Sequence, residues 1–392
     1  MGFIFSTKKE KLVAIFDIGS GSVGGAMVSV PLDSKSLPKI LKTVKNEIKI
    51  LEKFNFKRFI EEMSSTLHLT ASHLYNKKIG APDEIYCFLS SPWYISETNT
   101  IRMIKDKPFI FTKNLANELI QKEVSKLIEI YKDKYSTTNG TAEIMEQHTT
   151  SVSLNGYIVN EPLGMKCQTL EMNMVISLSP QICLDKIRDT LSKTFHHKKI
   201  NFSSFTLATF FAIRDKYIDQ DSYLLIDISG EITDIGIVTN GILKATLSFP
   251  FGKKTFFHYM CTKLEIELRD AKELFKLYNE NNLSSEFKEK AIPLFKSIEK
   301  SWGESFDGCL NTLPHILVLP NTIFLTADND IKDWFANVLR NENYTKSKIS
   351  SSNRRVITLD GPEFLNMCEV KEGSCDPFLI VESISVMRKM VK

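Results

Sequence analysis

Phe16-Asp17-Ile18-Gly19-Ser20-Gly21-Ser22 and, about two hundred residues later, Ile226-Asp227-Ile228-Ser229-Gly230-Glu231 decide the reading of this chain. Each is an aspartate-centred turn between two apolar strands. Val13 to Phe16 leads into the first turn and Gly25 to Val30 leads out of it. Tyr223 to Ile226 and Asp234 to Val238 repeat the plan, followed by Asn240-Gly241, the strongest short hairpin signal, and a return strand from Leu243 to Phe249. Turns of glycine and serine can point backbone N–H groups at an anion. One such turn is most simply a plain hairpin; two matched copies imply related halves clasping one phosphate ligand. An aspartate ending each strand suits magnesium held through water.

The remaining pattern alternates strands and helices. Amphipathic spacing predicts helices over Phe56 to Leu74, Leu115 to Tyr131, Pro180 to Phe195, Phe256 to Tyr278, Glu286 to Leu310 and Asp330 to Leu339. Strands are predicted at Glu84 to Leu89, Thr100 to Ile110, Thr149 to Ile158, Leu170 to Leu178, Pro314 to Leu319 and Thr322 to Leu325. Thr137 to Gly140 and Asn341 to Asn353 read as polar loops. Pro377 to Val391 is an apolar helix with cations near its end, which suits a last core helix better than a membrane-surface anchor.

At 392 residues the chain is long enough for two or more domains, and 43% apolar with 25% charged residues is an ordinary globular composition. A formal charge of +3, from scattered lysines, does not favour nucleic acid as partner. Seven cysteines lie far apart with no C-x-x-C spacing, so neither a disulfide framework nor a zinc site is signalled. His196-His197 reads as a helix end or turn. No run approaches the roughly 18 apolar residues of a spanning helix, and the start lacks a signal peptide's apolar region. Together these point to a reducing cytosol. Met1 to Ser6 fits the short myristoylation pattern, which is loose enough to arise by chance.

These residues resemble the actin-like ATPase superfamily, and within it the bacterial FtsA and PilM group. Asp17 to Ser22 is similar to its first phosphate motif, Asp227 to Asp234 to its second, and Leu325-Thr326-Ala327-Asp328 stands in the place of its adenosine motif. The resemblance implies an α/β, two-lobed fold of duplicated ribonuclease H-like domains with a small inserted α+β domain. It places the first lobe at 1–82 with 199–220 and 375–392, the inserted domain at 83–198 and the second lobe at 221–374. It implies ATP and magnesium as ligands. Asp17, Gly19, Ser20, Gly21, Ser22, Val23, Asp227, Ser229, Gly230, Thr233, Thr326, Ala327 and Asp328 would then contact the nucleotide, with Asp17 and Asp227 holding the metal through water.

Active members carry glycines where this chain has Ser229 and Glu231, and paired glycines where it has Ala327-Asp328-Asn329. Side chains there obstruct backbone approach to phosphate, and Glu231 adds negative charge. The expectation is a scaffold that binds ATP weakly or not at all and is at most a weak ATPase. Its partners would be a tubulin-like division protein or the cytosolic tail of an inner-membrane pilus protein, with self-association into filaments also implied and membrane association indirect. No linker precedes the last helix, which favours the pilus role. The alternative is a sugar or acetate kinase of the same superfamily, against which the altered adenosine motif counts.

Overall fold

The computed structural model describes residues 9–33, 35–49, 56–135, 141–197, 199–280, 282–283, 285–313, 319–341, 354–360, 366–371 and 376–391. Two sheets within it share one plan. In the first, β1 (Glu10–Ile18) pairs antiparallel with β2 (Ser22–Pro31), and β2 antiparallel with β3 (Lys39–Glu47). On its other side β1 runs parallel to β4 (Glu84–Leu89), and β4 parallel to β9 (Ile200–Ser204). The second sheet repeats this with β10 (Tyr223–Ile228), β11 (Thr233–Thr239) and β12 (Ile242–Phe249) antiparallel in sequence. There β10 runs parallel to β13 (Thr322–Ala327), and β13 parallel to β14 (Arg355–Thr358). The orders β3-β2-β1-β4-β9 and β12-β11-β10-β13-β14 are therefore equivalent, which is the duplication expected from the paired turns.

Local chemistry explains the hairpins. Asn240 and Gly241 both have positive φ, at 52° and 68°, the geometry of a two-residue turn that matches strand twist. Asn155 and Gly156 do the same at 52° and 86°.

The first sheet's outer face is covered by α1 (Phe56–Tyr75) and α3 (Gln181–Phe195), through Phe59, Met63 and Leu67 on one and Leu184, Ile187 and Leu191 on the other. The second sheet's outer face carries α5 (Lys253–Leu264), α6 (Leu268–Asn279), α7 (Ser285–Leu310) and α8 (Lys332–Arg340). Between the sheets lie α4 (Phe205–Lys216) and α9 (Pro377–Val391). Their core joins Val13, Ile15 and Val28 of the first sheet to Leu225, Val238 and Phe324 of the second. One hydrophobic core thus spans both lobes.

A third sheet, in the order β5-β8-β6-β7, forms the inserted unit. Its strands are β5 (Ile95–Ile110), β6 (Ala142–Leu154), β7 (Tyr157–Ile158) and β8 (Lys166–Pro180), with α2 (Lys113–Tyr135) packed against them. Met172, Met174 and Ile176 point inward, as their alternation predicts. Glu146, buried on β6, ties the unit to the first lobe. It accepts from Ser203 Oγ at 2.6 Å, the Ser204 N–H at 2.9 Å and the Ser204 hydroxyl, and from Ser177 Oγ of its own sheet at 2.9 Å.

Several elements differ from the sequence reading. Glu84–Leu89 is a strand of the first sheet rather than the start of the inserted unit, and α3 also packs in the first lobe, so the inserted sheet itself spans 95–180. β15 (Glu369–Val370) pairs with β3, which returns the chain to the first sheet before residue 374. The single helix expected over Phe256 to Tyr278 is two, because Glu265 takes a left-handed conformation (φ 55°) and ends α5. β3, β9, α4, β14 and β15 were not foreseen.

Residues 377–386 of α9 are all buried, so it is a core helix and the surface-anchor reading fails. His196 is the left-handed cap of α3, and the His197 ring lies 2.9 Å from the Asp83 carbonyl. The readings of Met1 to Ser6, 137–140, 314–318 and 342–353 lie outside the described residues. Among the described residues no helix is long and apolar enough to cross a membrane, and no group of three or more His, Cys, Asp or Glu suits a metal ion.

Candidate functional site

The two aspartate turns face each other across the lobes and touch. A Cβ built on Gly230 would stand 2.3 Å from the Cα and N of Gly21, so the two backbones are in direct contact and only glycine is admitted. Ser20 Oγ lies 3.1 Å from Ser229 Oγ and accepts the Glu231 N–H at 2.8 Å. Each turn is also closed on itself, with Gly19 N–H to Ser22 O at 3.1 Å and Ser229 N–H to Ile232 O at 3.0 Å.

The N-terminus of α5 abuts the second turn. Lys253 N–H donates to Ser229 O at 2.9 Å and Lys254 N–H to Gly230 O at 2.7 Å. Amides that a helix N-terminus commonly offers to an anion are here committed to protein carbonyls. Lys254 Nζ reaches across to Ser20 O at 3.1 Å and pairs with Glu231 at 3.3 Å.

Beneath the turns lies a set of buried acids. Asp17 is 3% exposed, and burial pushes its carboxyl up to about 8, with Lys45 pulling the other way and Asp376 and Asp328 adding to the rise. Glu382 of α9, fully buried beside Asp17, is raised well above the usual range by burial and then by the charges of Asp17 and Asp376. Asp227 is raised by burial, then by Asp234 and Asp17. Asp234 moves to about 6 through burial, offset by hydrogen bonds from Ser91, whose N–H lies 3.2 Å away.

Cations of the chain itself fill the charged side of the cleft. Lys45 Nζ lies 2.9 Å from Asp328 and 3.0 Å from Asp376, joining β3 to the end of β13 and the start of α9. Lys253 bridges Asp328 at 2.9 Å and Asp330 at 2.8 Å. Burial raises Asp328, but Lys45 and Lys253 outweigh it and hold its carboxyl below the usual range. Burial would lower Lys45, yet Asp376, Asp328 and Asp17 raise it above an ordinary lysine. The remaining cleft, about 850 Å³, is lined by Gly21, Lys45, Gly230, Lys253, Phe257 and Asp376 among others.

No protein-family model matches the sequence, and no curated protein does either. Among solved structures, a PilM-PilN type IV pilus biogenesis complex matches with TM-score 0.61 at 11% identity, over 98% of this chain and 99% of that one. The chain has the actin-like ATPase fold. An ethanolamine utilization protein EutJ from Carboxydothermus hydrogenoformans follows at TM-score 0.43, 8% identity, covering 97% and 90%. A Bacteroides thetaiotaomicron protein of actin-like ATPase fold and unknown function follows at 0.40, 9% identity, covering 98% and 99%. At these identities the likeness establishes the fold and nothing finer.

This fold implies a nucleotide and magnesium between the lobes, and the residues present do not fit them in this arrangement. Gly21 and Gly230 leave no room for a phosphate between the two turns themselves. Asp17, Asp227 and Glu382 are buried, and with no cation beyond the chain's own lysines beside them burial raises each carboxyl. An ammonium, Lys45, already serves the acidic cluster.

The expected site residues separate accordingly. Asp17, Gly19, Ser20, Gly21, Asp227, Ser229 and Gly230 meet at the junction of the turns, and Asp328 belongs to the cleft's ion pairs. Ser22 lines the cleft. Val23 is instead part of the first lobe's core. Thr233 is fully buried, donating to Phe251 O at 2.6 Å and accepting from Trp302 Nε1 at 3.3 Å. Thr326 and Ala327 are the buried last two residues of β13, Thr326 opposite Asp227 in parallel register. Lys45, Lys253, Lys254, Asp376 and Glu382 were missed. Only Glu382, a lone acid in the apolar run Phe378 to Val386, carried a local signal.

Proposed function

We propose that the chain is an actin-fold scaffold whose lobes are held closed by its own residues, and that it works without a nucleotide cycle. The observation that carries this is the Gly21–Gly230 contact, reinforced by Ser20 and Glu231, at the place where this fold would otherwise clasp phosphate. A motor or kinase needs that gap; a fixed platform does not. The phosphotransferase alternative therefore loses ground.

The partner we propose is the cytosolic tail of an inner-membrane pilus protein, met in the cytosol at the inner face of a bacterial membrane. Support comes from the end-to-end likeness to the PilM-PilN complex, inserted unit included. Linking a division ring is the less supported role, since the end-to-end likeness is to the pilus complex.

Two calorimetric titrations test this: Mg-ATP against the purified chain, and a synthetic peptide of the pilus protein's cytosolic tail with and without Mg-ATP. Tail binding of equal affinity in both conditions, with no heat from nucleotide, is expected. Nucleotide binding that strengthens tail binding would overturn the nucleotide-free reading, and an inert tail would overturn the partner.

A further inference from the structure

Fourteen large hydrophobic side chains are exposed among the described residues, and six of them fall on two short stretches of the inserted unit. These are Ile104 and Ile110 at the end of β5, Tyr157 and Ile158 of β7, and Leu163 and Met165 in the loop before β8. Strand register brings them to one end of the sheet. Ile104 is opposite Thr169, Ile110 opposite Lys166, and Leu154 is opposite both Leu170 and Tyr157.

Backbone and side-chain hydrogen bonds hold that end together. Phe111 N–H donates to Met165 O at 2.9 Å, Gly164 N–H to Phe111 O at 2.8 Å, and Asn155 Oδ1 accepts the Gln168 N–H at 2.9 Å. The opposite end of the same sheet, at Ile95 and Pro180, leads into the first lobe. The six residues are therefore a tip pointing away from that attachment.

Their exposure is not needed by the unit's core, which is supplied by Phe111, Leu154, Leu170, Met172 and others. The company they keep is basic. Residues 104–113 and 154–169 contain Lys105, Lys107, Lys113 and Lys166 against Asp106 and Glu161. The Lys105 ammonium lies 4.9 Å from the Phe109 ring centroid.

We propose that this tip seats in the headgroup region of an anionic lipid bilayer. Isoleucine, leucine and methionine would enter the acyl boundary, Tyr157 would sit at headgroup level with its hydroxyl in water, and the lysines would snorkel to lipid phosphates. A protein partner fits less well, because lysine is depleted at protein–protein contacts. The apolar groups also stand on strand ends and turns, not along one helix or sheet face. This contact is separate from the scaffold reading, since it needs neither nucleotide nor a pilus tail.

Flotation of the full chain with protein-free vesicles tests it, using phosphatidylcholine alone and phosphatidylcholine with phosphatidylglycerol. Binding only to the anionic vesicles, weakened by salt, is expected. The Ile158→Glu, Leu163→Glu double variant should weaken it about tenfold or more, which is 1.4 kcal/mol or more. Lys105→Glu with Lys107→Glu should remove the dependence on phosphatidylglycerol. Because all four positions are exposed, the variants should keep the wild-type melting curve. A Tyr157→Trp reporter should shift its emission to the blue on adding anionic vesicles. Wild-type protein that stays with the buffer at low salt would overturn the proposal. So would a double variant that floats like wild type, or a self-association abolished by the double variant without vesicle binding.

Discussion

Replacing Asp17 by asparagine should stabilise the protein at pH 8. The carboxyl is 3% exposed and is pushed from 3.8 to about 8, chiefly by burial. Folding must therefore take up a proton between those values. A raised folded-state pKa contributes stability that is fully present below the unfolded value near 4 and is lost as pH rises through the folded value near 8. A tenfold change in proton affinity corresponds to about 1.4 kcal/mol, so an unrelaxed interior would lose about 5–6 kcal/mol by pH 8. Relaxation and water entry reduce such penalties, and about 2–3 kcal/mol is the expected gain for the variant. Asparagine is close in volume, and its amide can donate to the Glu382 carboxyl beside it. Urea unfolding of both proteins at pH 5, 6.5 and 8 would read the effect, with the melting temperature rising by roughly 3 °C at pH 8. Wild type should lose stability relative to the variant as pH rises. A variant that is less stable at pH 8, or a difference that does not change with pH, would refute the account of Asp17 as a buried, protonated acid.

Gly230→Ala should cost about 2–3 kcal/mol by driving the turns apart, and should speed amide exchange at Gly19 to Ser22. Gly308→Ala, on α7 with nothing within 4 Å of the added methyl, is the control and should gain about 0.5–1 kcal/mol. Glu146→Ala should cost about 3 kcal/mol, because it strands the buried Ser203 and Ser204 groups it serves, and should make the inserted unit more sensitive to limited proteolysis. Lys45→Met should strand the buried Asp376 carboxylate as well as releasing Asp328, for a loss of about 3 kcal/mol in thermal melts, with faster exchange at the start of α9.

The duplicated sheets were legible because each turn announces itself by residues that no strand interior would choose, and Asn240-Gly241 fixed the following hairpin. α4 was missed for the opposite reason. Phe205 to Ile213 is apolar on nearly every face, as befits a helix between two sheets, so no stripe distinguishes it. The break between α5 and α6 falls on Glu265 with no glycine or proline to mark it. Val23 and Thr233 were assigned to the ligand through the resemblance to the two phosphate motifs, and both stand buried at the start of the strands that follow the turns. The pairs that now define the cleft, Lys45 with Asp328 and with Asp376, join positions 283 and 331 residues apart. Local pattern cannot find pairs so far apart in sequence, and Lys45–Asp328 in addition needs the two lobes brought together.

That closure carries its own energetic consequence for nucleotide. Opening the phosphate position would separate Gly21 from Gly230, release the Glu231 N–H from Ser20, and break Lys45–Asp328 and Lys272–Glu47 across the cleft. The two ion pairs are partly exposed and are each worth about 1 kcal/mol or less; the loop contact and its hydrogen bond add about 1–2 more. A closed state favoured by about 3 kcal/mol leaves the open one below about 1%, and the apparent affinity of any ligand that needs it falls roughly a hundredfold. Glycines at 21 and 230 are thus still required here, but by each other. The same permissive backbone that would let phosphate approach instead lets the two lobes meet, so a glycine turn in this fold is evidence of close approach and not, by itself, of a nucleotide.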